Sequence, residues 1–154
     1  MEWATLPLKK YAEFNGRSRR KEYWMYVLLL IVVGIVIGIV EGVLGLARMV
    51  GGLYGPISLL FALATLVPSL AVGVRRLHDT DRSGWWLLIG YGPMVLGMLL
   101  PFLGTAGAGL AMIVMIVALI GFIVLLIFMV MEGTRGTNQY GPDPKAEDVA
   151  TTFA

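Results

Sequence analysis

Four long apolar runs take up most of this chain, and its charged residues fall almost entirely between them. A helix needs about 20 apolar residues to cross the hydrocarbon core of a bilayer. The runs Tyr23–Leu46, Pro56–Val74, Trp85–Phe102 and Leu110–Met131 each come near that length. The last carries no charge, and its fifteen Leu, Ile, Val and Phe residues favour insertion by about 6 kcal/mol, at roughly 0.4 kcal/mol each. The runs are continuously apolar, with no in–out alternation, so they read as helices and not as strands of a barrel. The expected fold is an all-α integral membrane bundle of four transmembrane helices with short loops. It forms a membrane domain over residues 1–144, followed by a flexible cytoplasmic tail, 145–154. The first run starts too late and is too long for a cleaved signal segment, so it reads as a retained anchor.

Charged residues make up 14% of the chain, against about 25% in soluble domains, which excludes an ordinary water-soluble globule. The absence of cysteine excludes disulfides, thiol catalysis and thiolate metal sites. The single histidine, His78, excludes a multi-histidine metal centre within one chain. No cofactor is implied. A net charge of +2 is too small to argue for nucleic acid.

The placement of the basic residues predicts direction. Lys9, Lys10, Arg17, Arg19, Arg20 and Lys21 precede the first run. Arg75, Arg76 and Arg82 lie between the second and third, and Arg135 and Lys145 follow the fourth. Only Arg48 lies elsewhere, so eleven of the twelve basic residues share one side. By the positive-inside rule both termini and the middle loop are cytoplasmic.

Within the spans, Gly34, Gly38 and Gly42 repeat at four-residue spacing, a smooth stripe against which another helix can pack. Ala111, Ala118 and Gly121 form a weaker stripe on the fourth run. Pro68 and Pro93 each remove a helical hydrogen bond, either as ordinary kinks or as the walls of a cytoplasm-facing cavity. Glu41 is the one acid inside a span. Its position near the outer edge predicts a hydrated interfacial carboxylate, while its place on the glycine stripe leaves open a proton- or cation-sensing role. The segment with Trp3, Leu6, Tyr11 and Phe14 is expected to lie on the membrane surface, with Pro7 interrupting any long helix.

Three polar clusters remain: 14–24 (FNGRSRRKEYW), 75–86 (RRLHDTDRSGWW) and 133–144, ending in GTNQYGPDP. In this order around four spans they resemble a family of bacterial inner-membrane proteins, the YhaH type, catalogued as domain of unknown function 805. The matching positions include Gly16, Arg17, Arg20, Tyr23, Trp24, Arg75, Arg76, His78, Asp79, Ser83, Gly84, Trp85, Asn138, Tyr140, Gly141 and Pro144. Asp81 departs from the pattern, standing where glycine is often expected. The resemblance implies a small multi-span protein of the bacterial cytoplasmic membrane and brings no activity with it.

Physics offers three readings of the middle loop. Asp79 and Asp81 pair with Arg75, Arg76 and Arg82, while Ser83 or Asp81 caps the third span and Trp85 anchors the interface. Alternatively the arginines and His78 bind lipid phosphate. Or His78 acts as a general base oriented by Asp79, although neighbours on one loop rarely face each other. Tyr140 has the reach to fold back over this loop. The expectation is a non-enzymatic protein that binds membrane lipids, anionic phospholipid foremost, or a protein partner through Arg17, Arg20, Tyr23, Trp24, Arg75, Arg76, His78, Asp79, Arg82, Ser83, Trp85, Asn138 and Tyr140. A second copy or another membrane protein is the partner class implied. The rival is a small oligomeric transporter or channel.

Overall fold

The computed structural model describes residues 2–46, 49 and 55–146. Arg48 and residues 147–154 of the expected tail lie outside the described residues. Among the described residues five α-helices follow one another: α1 (Glu2–Lys9), α2 (Arg20–Val43), α3 (Pro56–Asp79), α4 (Leu88–Leu99) and α5 (Thr105–Val130). Turns of 3-10 helix at Gly84–Leu87 and Leu100–Leu103 extend α4 at both ends. Four segments are thereby long and apolar enough to cross a membrane: Arg20–Val43, Pro56–Asp79, Gly84–Leu103 and Thr105–Val130. Among the described residues there is no strand, only an isolated bridge between Asn138 and Gly141. Large apolar side chains such as Ile39, Leu60, Met112 and Leu119 are exposed, which suits a lipid solvent and not water.

Span boundaries differ from the sequence reading. The first span, α2, starts at Arg20 and ends at Val43, where Leu44 and Gly45 turn. The second runs on through Arg75, Arg76 and His78 to Asp79, so the first five residues of the polar motif are the last turn of a helix and not a loop. The fourth begins at Thr105, leaving Gly104 alone between it and the preceding turn.

The chain divides into two compact units, one of residues 1–14 with 21–72, the other of 15–20 with 73–154. In the first, Glu41 is 2% exposed. Its carboxylate accepts from the Ile57 N–H at 2.7 Å, the Ser58 N–H at 2.9 Å and the Ser58 hydroxyl at 2.5 Å. These are donors that a helix start leaves without partners, so Glu41 caps α3 and is not the hydrated acid expected. Within α3, Pro68 has no N–H to offer the Ala64 carbonyl four residues back. The Tyr11 hydroxyl takes that place, donating to Ala64 O at 2.8 Å. Ala64 lies about 12 Å along α3 from Pro56, so the segment after α1 does not stay at the helix ends as a surface strip would. α1 also runs through Pro7 without a break.

The glycine stripe on α2 is a second correction. A Cβ added at Gly34, Gly38 or Gly42 would meet nothing within 4 Å, so no helix of this chain's described residues packs there. In the second unit the weaker stripe is the one in use. Gly90 and Gly97 on α4 and Ala111, Ala118, Gly121, Leu125 and Met129 on α5 are all buried. Small residues at helical spacing let two backbones approach. Pro93 leaves the Ile89 carbonyl without its usual N–H, and a Cβ at Gly121 would lie only 2.1 Å from that oxygen. Tyr91 meets Phe122, and Trp86 meets Phe128, edge to face at 5.1 and 5.3 Å. Gly121→Leu is therefore expected to lower stability by about 1–3 kcal/mol through overpacking against backbone. Gly38→Ala in the monomer should be neutral or stabilising by up to about 1 kcal/mol. Thermal unfolding in mild detergent separates the two.

Candidate functional site

All three polar clusters supply residues to the second unit, around the ends of α3 and α5. Helix ends leave carbonyls unpartnered, and donors from distant stretches of the chain complete both of these, arginines at α5 and Asn138 with Thr134 at α3. At the end of α5, Arg76 donates from Nε to Met129 O at 3.2 Å and from Nη2 to Met131 O, while Arg20 Nη1 reaches Val130 O at 3.3 Å. At the end of α3, His78 O accepts from the Asn138 amide at 2.8 Å. Asp79 O accepts from the Thr134 N–H at 2.8 Å and the Thr134 hydroxyl at 3.0 Å.

Asp79 is the centre of the arrangement. One carboxylate oxygen accepts from Arg17 Nε at 3.0 Å, the other from Arg76 Nη1 at 2.5 Å. Both arginines are buried. The remaining donors of Arg17 go to Gly136 O at 2.6 Å, Thr134 O at 2.5 Å and, more weakly, Gly141 O at 3.4 Å. The segment 132–146 thus lies as a strap fastened to Arg17. A Cβ at Gly133 would sit 2.0 Å from Asp79 Oδ2, so only glycine lets the strap pass the carboxylate. Arg19 also donates to Pro144 O.

His78 turns away from Asp79. Its Nδ1 is 3.1 Å from Gly16 O, where it serves as the donor, and its ring stacks on Tyr140 with centroids 3.8 Å apart and planes 2° apart. The His–Asp pair of the catalytic reading is therefore not assembled. Asp81 also departs from the expected pairing. It accepts from Gln139 at 3.2 Å and holds φ at +58°. Arg82 N–H donates to Leu77 O and Asp81 N–H to His78 O, a Schellman ending whose left-handed residue is normally glycine. The turn is kept where the family pattern departs, with Asp tolerated in that conformation. Arg82 lies over the Phe128 ring at 4.2 Å and donates to Thr80 O at 3.0 Å. Ser83, not Asp81, caps the third span, accepting from the Trp85 N–H at 3.4 Å.

Of the expected site residues, Arg17, Arg76, His78, Asp79, Asn138 and Tyr140 are gathered in one cluster. Arg75 contributes its carbonyl, which accepts from the Ser18 N–H at 3.0 Å, and its side chain is buried. Trp85 is 78% exposed. Tyr23 and Trp24 belong to the first unit, where their rings meet edge to face at 5.4 Å. The third cluster, 133–144, held Gly133, Thr134 and Asp143, but sequence reasoning singled out none of them as a site residue. Spacing shows nothing of them, because their roles depend on backbone groups brought together from distant segments. Among the described residues no three acidic or imidazole groups are placed to hold a metal.

Asp143 fastens the strap to itself, accepting from the Lys145 N–H at 2.9 Å and the Gly136 N–H at 3.1 Å. The Lys145 N–H, chiefly, holds its carboxyl below the usual value, helped by Gly136 and Arg17 and opposed by partial burial. Glu132, paired with Lys145 at 3.2 Å, is lowered too, first by that hydrogen bond.

A small polytopic membrane protein, four apolar spans with a polar clasp at the ends of α3 and α5, is the class that this fold and cluster define. The profile of the family described as "Protein of unknown function (DUF805)" matches residues 11–142. The chain is 41% identical over 146 residues to "Inner membrane protein YhaI" of Escherichia coli (strain K12), covering 94% of this chain and 97% of that one. It is 37% identical over 147 residues to "Inner membrane protein YhaH" of the same strain, covering 96% and 99%. The chain belongs to the DUF805 family. No solved structure matches it.

Asp79→Asn would leave two buried guanidiniums sharing a neutral amide, and should cost about 3–5 kcal/mol in detergent unfolding. Gly133→Ala should be destabilising for the same contact. The strap should respond to acid in a defined direction. A carboxyl with a lowered folded value stabilises fully above its unfolded value and loses that contribution as pH falls through the folded one. Hydrogen exchange over 132–146 is expected to stay slow down to about pH 4 and to quicken below it, less steeply in Asp143→Asn.

Proposed function

We propose that the protein is a non-enzymatic inner-membrane protein, crossing four times with both termini in the cytosol, which binds anionic lipid headgroups at its clasp end. The orientation rests on the distribution of basic residues, eleven of twelve on one side. One observation carries the functional reading. The groups that would do chemistry, Arg17, Arg76, Asp79 and His78, make hydrogen bonds to one another or to backbone. A base or nucleophile must instead be presented to a substrate. What the clasp offers outward is charge: Arg20, Arg135 and Lys145 are exposed around the acid Glu132. Cations at a cytoplasmic surface attract anionic headgroups, and exposed Trp85 suits the interfacial belt.

A second reading, a small oligomeric channel or transporter, draws on the uncovered glycine stripe of α2. It is weakened by Glu41, whose carboxylate is engaged in capping α3. A protein partner at the same clasp is the remaining alternative. Native mass spectrometry after extraction in mild detergent tests the proposal. Anionic phospholipid should be retained over zwitterionic. Arg135→Gln with Lys145→Gln should cut retention roughly thirtyfold, at about 1 kcal/mol for each cation. Unchanged retention would refute headgroup binding and leave the partner reading.

A further inference from the structure

The strongest unexplained contact lies in the first unit, between the N-terminal segment and the middle of α3. Three features weaken α3 within nine residues. Pro68 lacks an N–H and pushes against the preceding turn. Thr65 Oγ1 donates back to Phe61 O at 2.8 Å, and Ser69 Oγ donates back to Thr65 O at 2.6 Å. Hydroxyls bonded in this way compete with the helical ladder and bend helices. The carbonyl released by Pro68 belongs to Ala64, and the hydroxyl that closes the gap comes from Tyr11, 53 residues away. Tyr11 itself is 44% exposed, so burial holds it only in part and this bond adds to the hold. Beside it, Tyr26 and Ser69 hydroxyls lie 3.3 Å apart.

We propose that Tyr11 is a removable pin: its hydroxyl stands in for the N–H that Pro68 lacks, and its withdrawal lets α3 bend at Pro68 and admits water to the Thr65, Ser69 and Tyr26 hydroxyls. In a bilayer an unpartnered carbonyl is costly, which makes the pinned state the resting one. Once the pin leaves, water is the nearest replacement donor, and the hydroxyl groups around the hinge give it further partners. The N-terminal segment thereby controls a hydrated opening inside a span. This does not depend on lipid binding at the clasp.

The chain has no cysteine, so Ser69→Cys provides a unique reporter. The full-length protein in nanodiscs is labelled with a charged, water-soluble maleimide, in four backgrounds: parent, Tyr11→Phe, Pro68→Ala, and both. Loss of one hydrogen bond should raise the labelling rate of Tyr11→Phe by roughly three- to tenfold. Pro68→Ala restores the helical N–H, so Tyr11→Phe should then have no effect. An unchanged rate in Tyr11→Phe overturns the proposal. So does an equal rise with and without Pro68, which would make Tyr11 a general packing residue. If Tyr11→Phe fails to fold, rescue by Pro68→Ala supports the pin, and failure of both variants to fold counts against it.

Discussion

Backbone carbonyls that helical geometry leaves without donors organise this protein. A hydrocarbon solvent offers no replacement donors, so each open carbonyl needs a donor from the chain itself. The openings arise at two kinds of place, helix ends and the positions four residues before a proline. At the ends of α3 and α5 the donors are Asn138, Thr134, Arg76 and Arg20. Before Pro68 the donor is Tyr11. Before Pro93 the α5 backbone comes close instead, at Gly121. The sequence elements that look ornamental around four greasy helices are the parts that make those helices tolerable in lipid.

The same requirement explains why the polar clusters converge. Arg17, the end of α3 and the strap come from three distant stretches, yet each supplies what another lacks. The strap has carbonyls at Thr134 and Gly136 and Arg17 has donors to spare. Asp79 offers two oxygens, and one arginine takes each. Each of these groups is thereby held by others of the same cluster, beside the exposed charges of Arg135 and Lys145.

The spans were legible because twenty-residue apolar runs have few alternative readings. Fifteen aliphatic and aromatic residues without a charge leave little choice for α5. Glycine was less legible. Gly34, Gly38 and Gly42 show the stronger pattern, yet the chain packs instead on Gly90, Gly97 and Gly121. A small residue permits close approach without supplying a neighbour, and the neighbour is a matter of tertiary geometry. The middle motif was half legible. Its charges pointed to ion pairing, and Asp79 does pair with Arg76. Its second partner, Arg17, lies 62 residues away and could not be read from spacing. Glu41 misled because depth along a helix says nothing of what the next helix start will bring to it.

The choice of arginine over lysine at the clasp follows from geometry and charge together. Arg76 bridges one carboxylate and two carbonyl oxygens, which calls for donors fanned in a plane. A lysine ammonium has three donors on one atom and cannot reach three acceptors set apart in this way. The ends of α5 and α3 add to the hold of Asp79, since a helix C-terminus carries about half a negative charge and Arg76 sits on the first of them. Two helix ends and the Asp79 carboxylate thus share in holding two buried arginines.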